Sequence, residues 1–117
     1  MGQSSFPEGI TDQTVIADPG TGQAIPVVKS GSFNLVVGAG AETNTLAAPS
    51  FLDQEIDINL QTVGAGTRAI TSANAINQTG NTVMTFAAAN DFIKLKAVYI
   101  GSALRWRIAI NDGVALS

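Results

Sequence analysis

Apolar and polar residues alternate through much of this chain, most sharply between Phe92 and Ile110. The runs FIKLKAVYI and ALRWRIAI flank Gly101-Ser102, a Gly-first pair that suits a two-residue type II′ turn, so the pattern predicts a β-hairpin. Pairing Ile100 with Ala103 sets Tyr99 opposite Leu104, Ala97 opposite Trp106, Leu95 opposite Ile108 and Ile93 opposite Ile110, with these last eight residues on one face. A small Ala then stands where the indole needs room. The opposite face carries Lys94, Lys96, Arg105 and Arg107, with Lys96 directly across from Arg107. Like charges at that range repel, so this face is expected to meet carboxylates from another strand or another molecule.

Short strands separated by turn residues continue upstream. The pattern predicts Phe33–Val37, Thr43–Ala47, Gln54–Leu60, Thr67–Ser72 and Thr82–Phe86 ahead of the hairpin, and Val114–Leu116 after an Asp112-Gly113 turn. No helix is needed: the Ala runs at 47–48 and 87–89 are each ended within a few residues by Pro49 or by Asn90-Asp91. TLAAPSF at 45–51 and TFAAANDF at 85–92 form a weak internal echo, each followed by a strand, which would suit two halves of a sandwich. In residues 53–60, Ile56, Ile58 and Leu60 alternate with Asp53, Glu55 and Asp57, giving an acidic strand face able to answer the basic hairpin face.

Residues 1–32 read differently. Pro7, Pro19 and Pro26, with the Asp18-Pro19-Gly20-Thr21-Gly22 run, break any long element and leave short apolar pieces at Val15-Ile16 and at Ile25, Val27 and Val28. The expectation is an extended N-terminal arm over 1–32 followed by a β-domain over 33–117, the arm's apolar pieces being candidate contacts with something outside it.

Composition sharpens this picture. Of 117 residues 45% are hydrophobic and only 13% charged, so part of the surface is expected to face partners rather than water. The net charge of −3 is uneven: residues 1–66 hold seven acids and one base, whereas 67–117 hold two acids and five bases. That polarity suits strand-on-strand pairing or head-to-tail contact between copies, and the acidic balance argues against nucleic acid as a partner. The absence of Cys and His rules out disulfides, thiol nucleophiles and any His-dependent triad or zinc site. No apolar run reaches 18 residues, so no membrane span is expected.

The remaining candidates for chemistry have structural readings that serve better. Carboxylates at 53, 55 and 57 sit at a separation glycosidases use, yet nothing else supplies a substrate cleft. Gly38-Ala39-Gly40 and Gly64-Ala65-Gly66 neither continue as GxGxxG nor open a helix, and read as turns. Tyr99 and Trp106 would make a sugar platform only if exposed, and alternation puts them on the apolar face. No calcium-loop pattern occurs, and neither a catalytic site nor a cofactor nor a metal site is expected.

Several stretches between Ala41 and Trp106 resemble small β-domains of tailed-bacteriophage virion proteins, the head decoration proteins and the related fibre or appendage tips. They are Glu42-Thr43-Asn44-Thr45-Leu46 with Pro49, Ile56-Asp57-Ile58, Gly66-Thr67-Arg68-Ala69-Ile70-Thr71, the Ala75–Gly80 turn, Thr85-Phe86 leading to Phe92-Ile93-Lys94-Leu95, and the strand with Trp106. The resemblance covers a little over half the chain and implies an all-β, jelly-roll-like β-sandwich, commonly trimeric, without catalytic residues. A fibre protein would need an attachment module and a shaft, for which a chain of this length has no room. The expected function is therefore that of a capsid decoration, or cement, protein: a homotrimer on the virion surface, made in the host cytoplasm, that binds the major capsid protein without nucleic acid or membrane. A receptor-binding or carbohydrate-binding appendage tip is the alternative. Val15, Ile16, Ile25, Val27, Val28, Asp53, Glu55, Asp57, Lys94, Lys96, Arg105 and Arg107 are the candidate interface residues.

Overall fold

The structure, a computed structural model, describes residues 15–117. These form nine strands: β1 Ala24–Ile25, β2 Gly31–Val37, β3 Ala41–Leu46, β4 Glu55–Val63, β5 Thr67–Ser72, β6 Val83–Phe86, β7 Phe92–Ile100, β8 Ala103–Asp112 and β9 Ala115–Leu116, with no helix among the described residues. Two mixed sheets result, one ordered β2-β4-β7-β8 and the other β1-β3-β5-β6-β9. Strict alternation supplies the core. Phe33, Leu35, Val37, Ile56, Ile58, Leu60, Ile93, Leu95, Ala97 and Trp106 from the first sheet share one buried cluster with Ile25, Leu46, Ile70, Met84 and Phe86 from the second.

The first half of the chain is wound. Successive strands alternate between sheets, so β2 pairs with β4 and β3 with β5, both in parallel, and β1 lies parallel to β3. Val37 pairs with Val63 and Ala41 with Thr67, 26 positions apart in each case. The two Gly-Ala-Gly corners therefore stack on each other: the Gly64 amide donates to the Val37 carbonyl at 2.8 Å and the Gly66 amide to the Gly38 carbonyl at 3.0 Å. A Cβ on Gly64 would stand 2.5 Å from the Gly38 carbonyl oxygen, and one on Gly66 would run into the Gly40 backbone. Glycine is required here by the close approach of backbones, beyond any need of the turn itself.

Of the segment 1–32, expected as an arm, residues 1–14 lie outside the described residues. From Val15 onward it makes a shorter winding against the edges of both sheets. Val15 bridges Ser32 beside β2, the corner at 18–22 turns on Gly20 and Gly22, both with positive φ, and Ala24-Ile25 joins β3. The buried Gln54 side chain anchors the connection that follows, donating to the carbonyls of Val27 (2.8 Å) and Lys29 (3.1 Å) and accepting from the Ser50 amide (2.7 Å).

The second half is antiparallel. The hairpin pairs Ile100 with Ala103, Tyr99 with Leu104, Ala97 with Trp106, Lys96 with Arg107 and Leu95 with Ile108, as the sequence predicts. The next step departs from expectation: a bulge leaves Ala109 unpaired, so Ile93 faces Asn111 and Ile110 faces Lys94, exposed to solvent. Tyr99, expected on the apolar face, is also exposed because the core ends at Trp106. The echo at 45–51 and 85–92 marks two of the three connections that leave the five-stranded sheet for the four-stranded one. Each ends in a non-glycine residue with positive φ, Asp53 (66°) and Asn90 (74°), just before β4 or β7.

Jelly rolls are antiparallel. The parallel pairings β1–β3, β3–β5 and β2–β4 are not those of a jelly roll, because strands that alternate between two sheets return to each sheet in the same direction.

Candidate functional site

Side-chain alternation gives the two sheets opposite outer faces. On the four-stranded sheet the registers Ser32–Asp57–Lys94 and Glu55–Lys96–Arg107 line up charged residues across β4, β7 and β8, with Arg105 opposite Val98. The acidic and basic faces expected from sequence thus meet inside one chain. The ion pairs run diagonally: Lys94 Nζ reaches Glu55 Oε1 at 3.3 Å and Lys96 Nζ reaches Asp53 Oδ1 at 3.6 Å. Asp57 is left with a long hydrogen bond from the Ser32 hydroxyl (3.4 Å), and its Oδ1 is buried without a partner, as is Arg107 Nε. Arg105 donates from Nη1 to the carbonyl of its neighbour Leu104 at 3.0 Å. Among the described residues, neither Arg105 nor Arg107 has a carboxylate partner.

Among the described residues, the outer face of the five-stranded sheet carries no charged side chain. Its outward residues are Ala24, Ala41, Thr43, Thr45, Thr67, Ala69, Thr71, Val83, Thr85 and Ala115, set in rows such as Ala24–Thr45–Thr71–Val83 and Thr43–Ala69–Thr85–Ala115. The surface is one of methyls and hydroxyls on β-branched and small residues. Glu42 and Arg68, the charged residues of these strands, point the other way.

The apolar pieces near the N-terminus divide. Ile16 and Ile25 belong to this chain's own core and Val27 packs against it, whereas Val15 and Val28 are exposed and line a groove of about 240 Å³ with Ile16, Ala17, Pro26 and Lys29. Trp106 is buried, its Nε1 donating to the Ala47 carbonyl at 2.8 Å, and offers no stacking face.

Arg68 is the polar residue whose importance sequence reasoning missed. Nearly wholly buried, it uses all five N–H groups: Nε on Glu42 (3.1 Å), Nη1 on Asp18 (3.0 Å) and Asn44 (2.8 Å), and Nη2 on Asp18 (3.1 Å) and the Val36 carbonyl (2.8 Å). Burial works against ionisation of Asp18, but hydrogen bonds from Arg68, Gly20 and Val36 outweigh it and hold the carboxyl below its ordinary range. Burial likewise opposes the Arg68 charge, and Asp18 and Glu42 more than compensate, raising its pKa. With every donor used, this cluster is a clasp joining three windings rather than a ligand site. Its signal in the sequence was the inward parity of position 68, shared with Ile70 and Ser72. Among the described residues, no group of three His, Cys, Asp or Glu side chains is arranged to hold a metal ion.

The chain matches no protein-family model and no curated protein.

Proposed function

We propose that this chain is a bacteriophage capsid decoration protein that binds the outside of the head shell and stabilises it. In this reading it is a self-associating β-sandwich, working at the virion surface with the major capsid protein as its partner. The observation that supports it is the division of charge between the two outer faces. A chain with only 13% charged residues places six of them, Glu55, Asp57, Lys94, Lys96, Arg105 and Arg107, on the outer face of one sheet and, among the described residues, none on the outer face of the other. The Thr/Ala surface suits contact with another protein: it carries hydroxyls that accept or donate hydrogen bonds and short side chains that lose little rotamer entropy on burial. The charged surface suits water.

The resemblance to virion β-domains gives this general reading its particular partner, and cosedimentation with undecorated heads tests it. The wild-type protein should pellet with heads and raise their rupture temperature. Thr45→Glu combined with Thr71→Lys, two charges placed on exposed positions of the Thr/Ala face, should leave thermal melting nearly unchanged and abolish pelleting. Full shell binding by that double variant would remove the face from the mechanism. Detection of the protein only on tails would favour the receptor-binding alternative.

A further inference from the structure

We propose that the free edge of β8, between the hairpin turn and Ile108, is a strand-addition site for an extended acidic segment of another protein. A sheet edge presents backbone amides and carbonyls with no strand to pair them, and among the described residues three of the four edges are short or covered. The edge strands β1 and β9 are two residues long. Along β2 the Ile16 amide donates to the Ser32 carbonyl at 2.8 Å. At Val36 the Asp18 carboxylate accepts from the amide (3.3 Å) and Arg68 donates to the carbonyl (2.8 Å), side chains standing in for a further strand. The fourth edge strand, β8, is ten residues long and pairs only with β7.

One contact fixes the direction of its backbone groups. The Ile108 amide donates to the Ile76 carbonyl (3.3 Å), so it points away from β7. No bulge interrupts the register from Ala103 to Ile108, and the amides and carbonyls of Leu104 and Trp106 therefore point the same way. Among the described residues no backbone group of another element meets them, and the Leu104 carbonyl accepts instead from Arg105 Nη1 of its own strand (3.0 Å). The edge is open along this stretch and closed at Ile108.

Charge selects the occupant. Arg105 and Arg107 stand on the outer face of the open stretch, neither has a carboxylate partner among the described residues, and Arg107 Nε is buried without a hydrogen bond. A second copy is a poor fit, because antiparallel pairing of two such edges sets arginine against arginine. A strand with carboxylates at alternate positions meets both guanidiniums, whose planar fork matches a carboxylate. Its intervening positions lie beside Leu104 and Trp106 and call for apolar side chains. An incoming amide takes over the Leu104 carbonyl and frees Arg105 Nη1 for the partner's carboxylate. Main-chain pairing then supplies affinity, and the carboxylates supply the choice of partner. Basic residues that served only to keep the edge from aggregating would give it no affinity for any peptide.

The site goes beyond the shell-binding reading, which uses the Thr/Ala face, and it is tested on the full chain without heads, so the two can fail separately. The probe is the fluorescently labelled peptide Thr-Glu-Val-Glu-Val-Thr, blocked at both ends and followed by anisotropy. It should bind the wild type, and its counterpart with Lys in place of Glu should not. Arg105→Ala combined with Arg107→Ala should weaken binding about tenfold or more while keeping the circular dichroism of the wild type. Lys29→Ala, which removes a charge beside β2, should bind as the wild type does. N-methylated peptides separate strand addition from attraction of charge. Alternate amides of an added strand face β8, so methylation at the Glu residues and methylation at the Val residues should abolish binding in one case and spare it in the other. No binding up to about 1 mM peptide, or equal binding by both methylated forms, overturns the proposal. So does a loss in Lys29→Ala as large as in the arginine variant, which would mean that affinity follows overall charge.

Discussion

The wound half of the molecule, residues 15–72, and the antiparallel half, residues 83–116, contribute strands to both sheets but hold their strands in register by different means. In the hairpin of the antiparallel half register is local: a two-residue turn, a small Ala97 beneath Trp106 and an alternating apolar face define it within 20 residues. In the wound half the long pairs β2–β4 and β3–β5 join strands 25 or 26 positions apart, and the chain fixes that register with special contacts. Backbone meets backbone at the stacked Gly-Ala-Gly corners, Asn59 reaches Asn34 across the β2–β4 pair (3.4 Å), and Arg68 clasps Asp18, Glu42 and Asn44. Polar and steric keys of this kind guard against a slip of two residues, which leaves every side chain on its own face and which apolar alternation alone does not oppose.

The largest effect expected from breaking this contrast lies on the hairpin side. Trp106→Ala removes the largest fully buried side chain and leaves the Ala47 carbonyl without its donor, at a cost of about 3–5 kcal/mol in chemical denaturation. Ala97→Leu, which overfills the space that the indole occupies, should cost about 1–3 kcal/mol. A loss below 1 kcal/mol for Trp106→Ala would mean that the core closes without it.

On the wound side the corresponding break is Arg68→Met. It strands two carboxylates, but Asp18 and Glu42 keep 20% and 24% of their side-chain exposure and recover some water, so a loss at the lower end of the range for broken buried pairs is expected, about 3 kcal/mol. Register should suffer as well as stability. A melt that stays fully cooperative and sharp in Arg68→Met would show that the glycine corners alone set the winding.

The same contrast explains what could be read from sequence. Strand positions and the hairpin pairing from Leu95 to Ile108 were legible because local alternation and the turn encode them. The bulge at Ala109 was not, since Ile108-Ala109-Ile110 alternates equally well without one. Parallel pairing was also hidden, although Asn34-Leu35 with Val37-Gly38-Ala39-Gly40 repeats as Asn59-Leu60 with Val63-Gly64-Ala65-Gly66. Read singly, each Gly-Ala-Gly is a turn; read as a 26-residue repeat, the pair predicts stacked corners. Of the candidate site, the meeting of acidic and basic faces followed from parity. The uncharged Thr/Ala face did not, because attention to charges passes over a surface that lacks them.

The clasp also makes the wound half the acid-sensitive one. The Asp18 pKa is lowered on folding, so its contribution to stability is complete above the unfolded value, near 3.9, and is lost as pH falls through the lower folded value. Stability of the wild type should therefore fall below about pH 4. In Asp18→Asn the part of that slope due to this carboxyl should vanish while stability at pH 7 drops. Parallel pH profiles for the two proteins would show that Asp18 does not carry the acid response.

The smallest effect concerns the charged outer face, where the two halves meet along β4 and β7. Lys94–Glu55 and Lys96–Asp53 are partly exposed pairs of flexible side chains, displaced by one row from the residues directly opposite, and solvent screens them. A double-mutant cycle on Lys94→Ala and Glu55→Ala should give a coupling of about 0.2–1 kcal/mol that shrinks further in 1 M salt. A coupling above 2 kcal/mol that resists salt would mean that this face is shielded in the assembled protein. In that case the charged sheet, and not the Thr/Ala one, would be the surface turned toward a partner.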